Sequence, residues 1–123
     1  MNNLWQPSCT LATAKARAKI LKQIRSFFDE LNVLEVETPL LSAFASVDLQ
    51  LDSFVTELEI NHRPEKTLYL QTSPEFFMKR AIAAEFGACY QMTKAFRNGE
   101  IGSRHNPEFS ILEWYRPDFT MQQ

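Results

Sequence analysis

The chain has 123 residues, 45% of them hydrophobic, and a formal net charge of −2. This length fits one domain or a piece of a larger one, and the apolar content excludes a disordered chain. The charge excludes a globally basic surface that holds nucleic acid without regard to sequence. The two cysteines lack metal-ligand and disulfide spacing, the apolar runs are too short to cross a membrane, and the N-terminal residues do not resemble a signal peptide. We therefore expect a cytoplasmic protein that does not enter the membrane.

The first part of the chain predicts one long helix followed by short strands. Apolar residues spaced by threes and fours predict an amphipathic helix over residues 11–32. Alternating residues predict strands over 33–37, 54–60 and 68–71, with Pro39 ending the first. Residues 42–52 are expected to form a loop, and residues 61–66 a turn region.

The second part predicts a helix and then a long hairpin. The helix is expected to begin at Pro74 with Ser73 as its N-cap, and to end at Gly87. Two antiparallel strands over 88–96 and 108–115 should flank a loop with two glycines. This order predicts an α+β fold with a mostly antiparallel sheet flanked by helices. A strand that should be central lies close to residue 123, so we expect an incomplete sheet and a piece of a longer enzyme.

The hairpin segment is the most informative part of the sequence. It reads FRNGEIGSRHNPEFSILEWYRP and brings together arginines, a histidine, carboxylates and aromatic residues. Such a set suits binding of a polyanion beside a flat base, which is what ATP offers.

This segment resembles motif 2 of the class II aminoacyl-tRNA synthetases, in the form of the lysyl branch. FFDELNVLEVETPLLS resembles motif 1, which in that family builds the dimer interface. LYLQTSPEFFMKRAI resembles the segment whose SPE triplet lines the amino-acid pocket. The resemblance implies that residues 1–123 are the N-terminal portion of such a catalytic domain, with motif 3 absent from this stretch.

A finer resemblance points to a branch that modifies a protein rather than tRNA. The short arm with WQPS, the TSPE form and EWYRP are similar to lysyl-tRNA synthetase paralogues without an anticodon domain. These paralogues activate (R)-β-lysine with ATP and transfer it to a lysine side chain of elongation factor P. Two alternatives stay open: the catalytic core of a lysyl-tRNA synthetase, or a non-catalytic remnant that dimerises or binds a partner.

The resemblance implies a catalytic role for Arg97, whose fork would bind the α-phosphate and the attacking carboxylate together. A surface ion pair is the alternative for this arginine. The implied ATP-binding residues are Arg97, Asn98, Gly99, Glu100, Arg104, His105, Asn106 and Phe109. Among them, Phe109 would stack on adenine, although core packing is the default for a lone aromatic in a strand. Gly99 stands where most relatives carry glutamate, and Glu100 follows it.

The implied substrate-binding residues are Ser73, Pro74, Glu75, Glu113 and Tyr115. Glu113 and Tyr115 share one face of the last strand with Phe109. A buried carboxylate there needs a partner, which could be a substrate ammonium group or a structural cation. Mg²⁺ is expected with ATP, yet no metal site is predicted in these residues, because the family's metal-binding carboxylates and its motif 3 arginine lie further along. The 123 residues alone are therefore expected to be inactive.

Overall fold

The computed structural model describes residues 5–120. The chain divides into two compact units, Met1–Val33 and Leu34–Gln123. The described residues form two helices and six strands. The helices are α1 (Leu11–Glu30) and α2 (Glu75–Ala83); the strands are β1 (Leu34–Glu35), β2 (Leu41–Ser42), β3 (Val55–Ile60), β4 (Arg63–Leu70), β5 (Cys89–Phe96) and β6 (Glu108–Tyr115). In the described part of the chain, no helix is both long and apolar enough to cross a membrane.

The first unit consists mainly of α1, which confirms the predicted long helix. The Thr10 hydroxyl caps its start by accepting a hydrogen bond from the Thr13 amide at 3.1 Å. The helix ends at Glu30, two residues earlier than predicted. Asn32 lies just beyond with φ of 53°, a left-handed conformation that an asparagine tolerates after a helix.

The second unit contains a three-stranded sheet in the order β1-β5-β6. β5 and β6 pair antiparallel from Cys89 opposite Tyr115 to Phe96 opposite Glu108, which confirms the predicted hairpin. β1 is shorter than predicted and runs parallel to β5. As the central strand, β5 carries the buried apolar side chains Cys89, Tyr90 and Ala95.

A second three-stranded sheet has the order β2-β4-β3, so the unit has two small sheets where one was expected. The predicted turn over 61–66 is wrong, because β4 already begins at Arg63. Asn61 and His62 have φ of 52° and 60°, and these two residues suffice to close the hairpin. Pro64, inside the region predicted as a turn, pairs with Glu59 beside a register shift, where a strand tolerates a proline. Ser42, expected in a loop, belongs to β2.

Both predicted ends of α2 are wrong. Pro74 occupies the N-cap position, and no side chain caps the helix. Ser73 lies one residue before the N-cap position, and its hydroxyl accepts only a long bond, 3.4 Å, from the Glu75 amide at the first helical residue. The helix ends at Ala83, because Glu85 takes a φ of 62°. Gly87, with φ of 73°, lies in the turn that leads into β5.

Candidate active site

The hairpin places Arg97 at the end of β5, where the loop to β6 begins. The Arg97 amide donates to the Pro107 carbonyl at 2.9 Å and closes the loop at its base. The next amide, of Asn98, donates to the Asp52 carbonyl at 2.8 Å. These bonds fix the backbone on both sides of the arginine side chain, because each amide is held by a separate segment of the chain.

The guanidinium of Arg97 lies over the ring of Phe109, 5.0 Å from Cζ to the ring centroid. Its Nε donates to the Thr72 carbonyl at 3.4 Å, and its Nη1 lies 3.8 Å from Glu100 Oε2. The Glu100 contact is long and both side chains are partly exposed, so it holds the guanidinium weakly. The arrangement orients a cation beside an aromatic face and leaves room for a stronger anion.

Gly99 explains how Glu100 comes to lie beside Arg97. Gly99 has φ of +80°, a left-handed conformation in which a side chain is strained. The turn continues with a bond from the Ile101 amide to the Gly99 carbonyl at 3.1 Å. The Glu100 carboxylate, which follows Gly99, thus lies on the side of the turn that faces Arg97.

The tip of the loop carries Arg104, His105 and Asn106, and all three are exposed. The tip is closed by paired backbone bonds between Gly102 and His105, at 3.1 and 3.3 Å. No described contact brings these three side chains to Arg97 or Phe109. The structure therefore gathers the base of the loop into one group and leaves the predicted ATP-binding residues of the tip apart from it.

Glu113 and Tyr115 form a direct pair on β6, as expected for residues on one strand face. The Tyr115 hydroxyl donates to Glu113 Oε1 at 2.7 Å. Burial, and then the hydrogen bond to Glu113 and its charge, raise the pKa of Tyr115 well above its usual value. The charge of Glu75 adds to this rise. The structure thus brings Glu113 and Tyr115 into direct contact, a carboxylate and a neutral phenol that suit a cation.

A cavity of about 530 Å³ lies beside the start of α2. Its lining includes Ser73 and Glu75, with Asp48 and Ser46 from the loop before β3. Pro74, between the two, is fully buried. The lining does not include Arg97, Phe109 or the Glu113–Tyr115 pair. Glu75 therefore belongs to the cavity and also acts on Tyr115 through its charge.

The sequence analysis did not identify the residues whose backbone carbonyls anchor the site. Thr72 is buried and supplies the carbonyl that contacts Arg97, and Gln71, also buried, precedes it. Asp52 supplies the carbonyl that anchors Asn98. These are backbone contacts between segments that are distant in the sequence, and no local residue pattern predicts them. Among the described residues, no group of three or more histidines, cysteines or acidic residues could hold a metal ion.

The described part of the chain thus combines an antiparallel hairpin that has an arginine at its base with a helix that begins with an acidic residue. The chain belongs to the family of class II tRNA synthetases (D, K and N), which matches residues 6–123. This confirms the family expected from the three motifs.

The chain is similar over nearly its whole length to curated proteins named elongation factor P–(R)-β-lysine ligase. The relative from Pseudoalteromonas translucida is 57% identical over 95% of this chain and 36% of its own length. The relative from Mannheimia succiniciproducens is 54% identical, with the same coverage of both chains. A relative from Haemophilus influenzae is 53% identical over 98% of this chain and 38% of its own length. The chain therefore spans a little over a third of these relatives, and the finer resemblance is confirmed.

Proposed function

We propose that this chain supplies the motif 1 and motif 2 parts of an ATP-dependent ligase. The ligase activates (R)-β-lysine as an adenylate and transfers the β-lysyl group to a lysine side chain of elongation factor P. The names of the relatives support the substrate and the acceptor. The observation that carries the chemistry is the guanidinium of Arg97, held 5.0 Å from the Phe109 ring at the base of the hairpin.

In the proposed reaction, a carboxylate oxygen of (R)-β-lysine bonds to the α-phosphorus of ATP, and pyrophosphate leaves. Two anions must approach each other, so a positioned cation lowers the barrier. We assign this role to Arg97, because its planar fork can bind the carboxylate and the α-phosphate together. Phe109 is assigned to the adenine ring, whose site is then adjacent to that of the α-phosphate.

The amino-acid side of the site is assigned to Glu75, Glu113 and Tyr115. Two carboxylates near a phenol that stays protonated form an acceptor-rich surface. (R)-β-lysine has two ammonium groups, and this surface complements them. Ser73 and Pro74 are assigned to the substrate with Glu75, since Ser73 and Glu75 line one cavity and Pro74 lies between them in the sequence.

The remaining nucleotide contacts are assigned to the loop. Arg104 and His105 would meet the β- and γ-phosphates, but both are exposed at the tip, so the loop has to close over ATP. Asn106 is assigned to ATP with them. At the base of the loop, Asn98, Gly99 and Glu100 would contact the nucleotide, Gly99 through its backbone alone. We expect Mg²⁺ to bind together with the phosphates of ATP, and none of the described residues is assigned as its ligand.

The proposal concerns a whole protein of which these residues are one part. We expect the 123-residue chain alone to be inactive, because motif 3 is not among its residues. We also propose a homodimer built on the motif 1 region and a reaction in the cytoplasm, without tRNA as a substrate. The catalytic core of a lysyl-tRNA synthetase stays the second candidate, since the matching family includes the lysine enzymes.

Exchange of pyrophosphate into ATP tests the proposal. The complete gene product is assayed with (R)-β-lysine and with α-lysine side by side. We expect exchange to depend on the amino acid and to be faster with (R)-β-lysine. A preference for α-lysine would favour the lysyl-tRNA synthetase, and exchange with neither amino acid would favour a non-catalytic remnant.

A further inference from the structure

The loop between β2 and β3 carries apolar side chains that the rest of the described chain leaves exposed. We call residues 43–51 the rim loop. Its Phe44 and Val47 are both 81% exposed, and Leu49 is 100% exposed. Single exposed apolar residues are ordinary, but several of them on one short loop mark a surface at which another molecule binds.

The rim loop has a defined shape although these side chains are exposed. The Ser42 hydroxyl accepts from the Phe44 amide at 3.2 Å, and the Ser46 hydroxyl accepts from the Asp48 amide at the same distance. Asp48 Oδ1 accepts from the Gln50 amide at 2.9 Å. Bonds of this kind fix successive turns of the backbone. The apolar side chains are therefore presented on a preformed surface, which lowers the entropy cost of binding.

The rim loop forms one wall of the 530 Å³ cavity beside α2. Phe44, Val47 and Asp48 are among the lining residues, whereas Leu49 is not. An amino acid held inside the cavity would not cover Leu49, so the exposed apolar surface continues beyond the space that a small ligand fills. This surface suits a macromolecule that covers the rim and inserts one side chain into the cavity.

Asp48 gives the rim a negative charge. The ion pairs among the described residues do not include it. On the helix side of the cavity, Glu75 is already paired with Lys79 at 2.5 Å, and the Arg80 guanidinium lies over a neighbouring aromatic ring. Asp48 is thus the carboxylate of the lining that remains for an incoming cation.

The cavity also adjoins the arginine to which we assign the reaction. Thr72 lines the cavity, and its carbonyl accepts from Arg97 Nε at 3.4 Å. A side chain that enters past the rim loop is therefore led towards the carboxyl group that Arg97 would bind. The acceptor lysine has to reach that carboxyl group. A lysine also has an aliphatic stem that suits an apolar rim and an ammonium group that suits Asp48.

We propose that the rim loop is the surface on which the acceptor protein docks. The segment that carries the acceptor lysine places apolar side chains on Phe44, Val47 and Leu49 and its positive charge near Asp48. The inference rests on the proposed function, because it takes a protein lysine as the acceptor. It adds to that function the surface that selects the acceptor protein.

Two assays of the complete gene product separate docking from activation. Pyrophosphate exchange with (R)-β-lysine measures activation, and initial rates of elongation factor P modification, followed by mass spectrometry, measure transfer. Leu49→Lys places a positive charge on the rim outside the cavity. Asp48→Asn removes the negative charge and keeps an oxygen for the Gln50 amide. For both variants we expect the KM for elongation factor P to rise about 10-fold, as for loss of one charged contact, with exchange unchanged.

Ile60→Lys is the matched control. It also replaces an exposed apolar residue with lysine, but at the end of β3 that is far from the rim loop. We expect this variant to modify elongation factor P at the normal rate. Added salt should reduce the difference between Asp48→Asn and the unmodified protein, because salt screens the attraction that the Asp48 charge provides.

Unchanged transfer by Leu49→Lys and Asp48→Asn would overturn the inference. A higher KM for (R)-β-lysine in exchange by Asp48→Asn would also overturn it, because Asp48 would then hold the amino acid. So would a lower melting temperature of Leu49→Lys, since another part of the protein or a second copy would then cover the rim; sedimentation tells these two apart. If the unmodified protein shows no exchange with (R)-β-lysine, the proposed function fails and the inference fails with it.

Discussion

Replacing Arg97 with alanine should abolish adenylate formation while leaving the fold intact. The stability cost follows from three weak contacts: one cation–π contact at 5.0 Å, one long bond to Thr72 and one partly exposed ion pair with Glu100. Together these contribute about 1–2 kcal/mol, of which the exposed ion pair supplies little. The kinetic cost is larger, because a lost donor at a developing charge slows a reaction by about 10²–10³-fold.

Pyrophosphate exchange and thermal unfolding of the complete gene product measure the two effects separately. Arg97→Lys keeps the charge but not the fork, so its exchange rate should lie between those of the alanine variant and the unmodified protein. Arg116→Ala is the matched control: it removes an arginine of the same segment whose guanidinium lies 3.7 Å from the Phe119 ring centroid. Near-normal exchange by Arg97→Ala, or equal losses in both alanine variants, would refute the role assigned to Arg97.

Three further predictions concern the substrate pair and the turn. The pKa of Tyr115 is raised, so the folded protein holds this proton more tightly than the unfolded chain does. The free energy of unfolding should therefore fall as the pH rises above about 10. Denaturant titrations across this pH range test the prediction, and the Tyr115→Phe variant should not show the fall. Glu113→Gln should bring the phenol's pKa back towards its usual value, seen as earlier tyrosinate absorbance on raising the pH, and should weaken amino-acid binding about 10-fold in calorimetry. Gly99→Ala should lower the free energy of unfolding by about 1 kcal/mol, because Gly99 has a φ of +80°, which strains a residue with a side chain. The added carbon meets nothing within 4 Å, so the backbone conformation is the cause of this loss. An unchanged melting temperature would contradict that conformation.

The sequence predicted the elements whose residue pattern is strong and local. The periodicity of α1 and the two strand signals around the glycine-containing loop gave nearly correct bounds, because these signals lie within the residues of each element. The cap of α2 and the turn before β4 were wrong, since single residues such as Pro64 and Pro74 are tolerated in more than one context. Local statistics cannot decide between those contexts.

The residues of the candidate site were likewise predicted only in part. Arg97 and Phe109 were singled out because a motif fixes their spacing, and the structure brings them into contact. Gln71 and Thr72 were not, because their part depends on hydrogen bonds to a strand more than twenty residues away in the sequence. Such bonds follow from how the two sheets meet, which no single segment encodes.

Mass spectrometry of elongation factor P tests the central claim most directly. Elongation factor P is incubated with the complete gene product, ATP and (R)-β-lysine, and a parallel reaction contains α-lysine and tRNA. The proposed reaction forms an amide between the β-lysyl carboxyl and a lysine Nε and releases AMP, so we expect a gain of one β-lysyl group on a single lysine, absent without ATP. Unmodified elongation factor P together with lysylated tRNA would contradict the account.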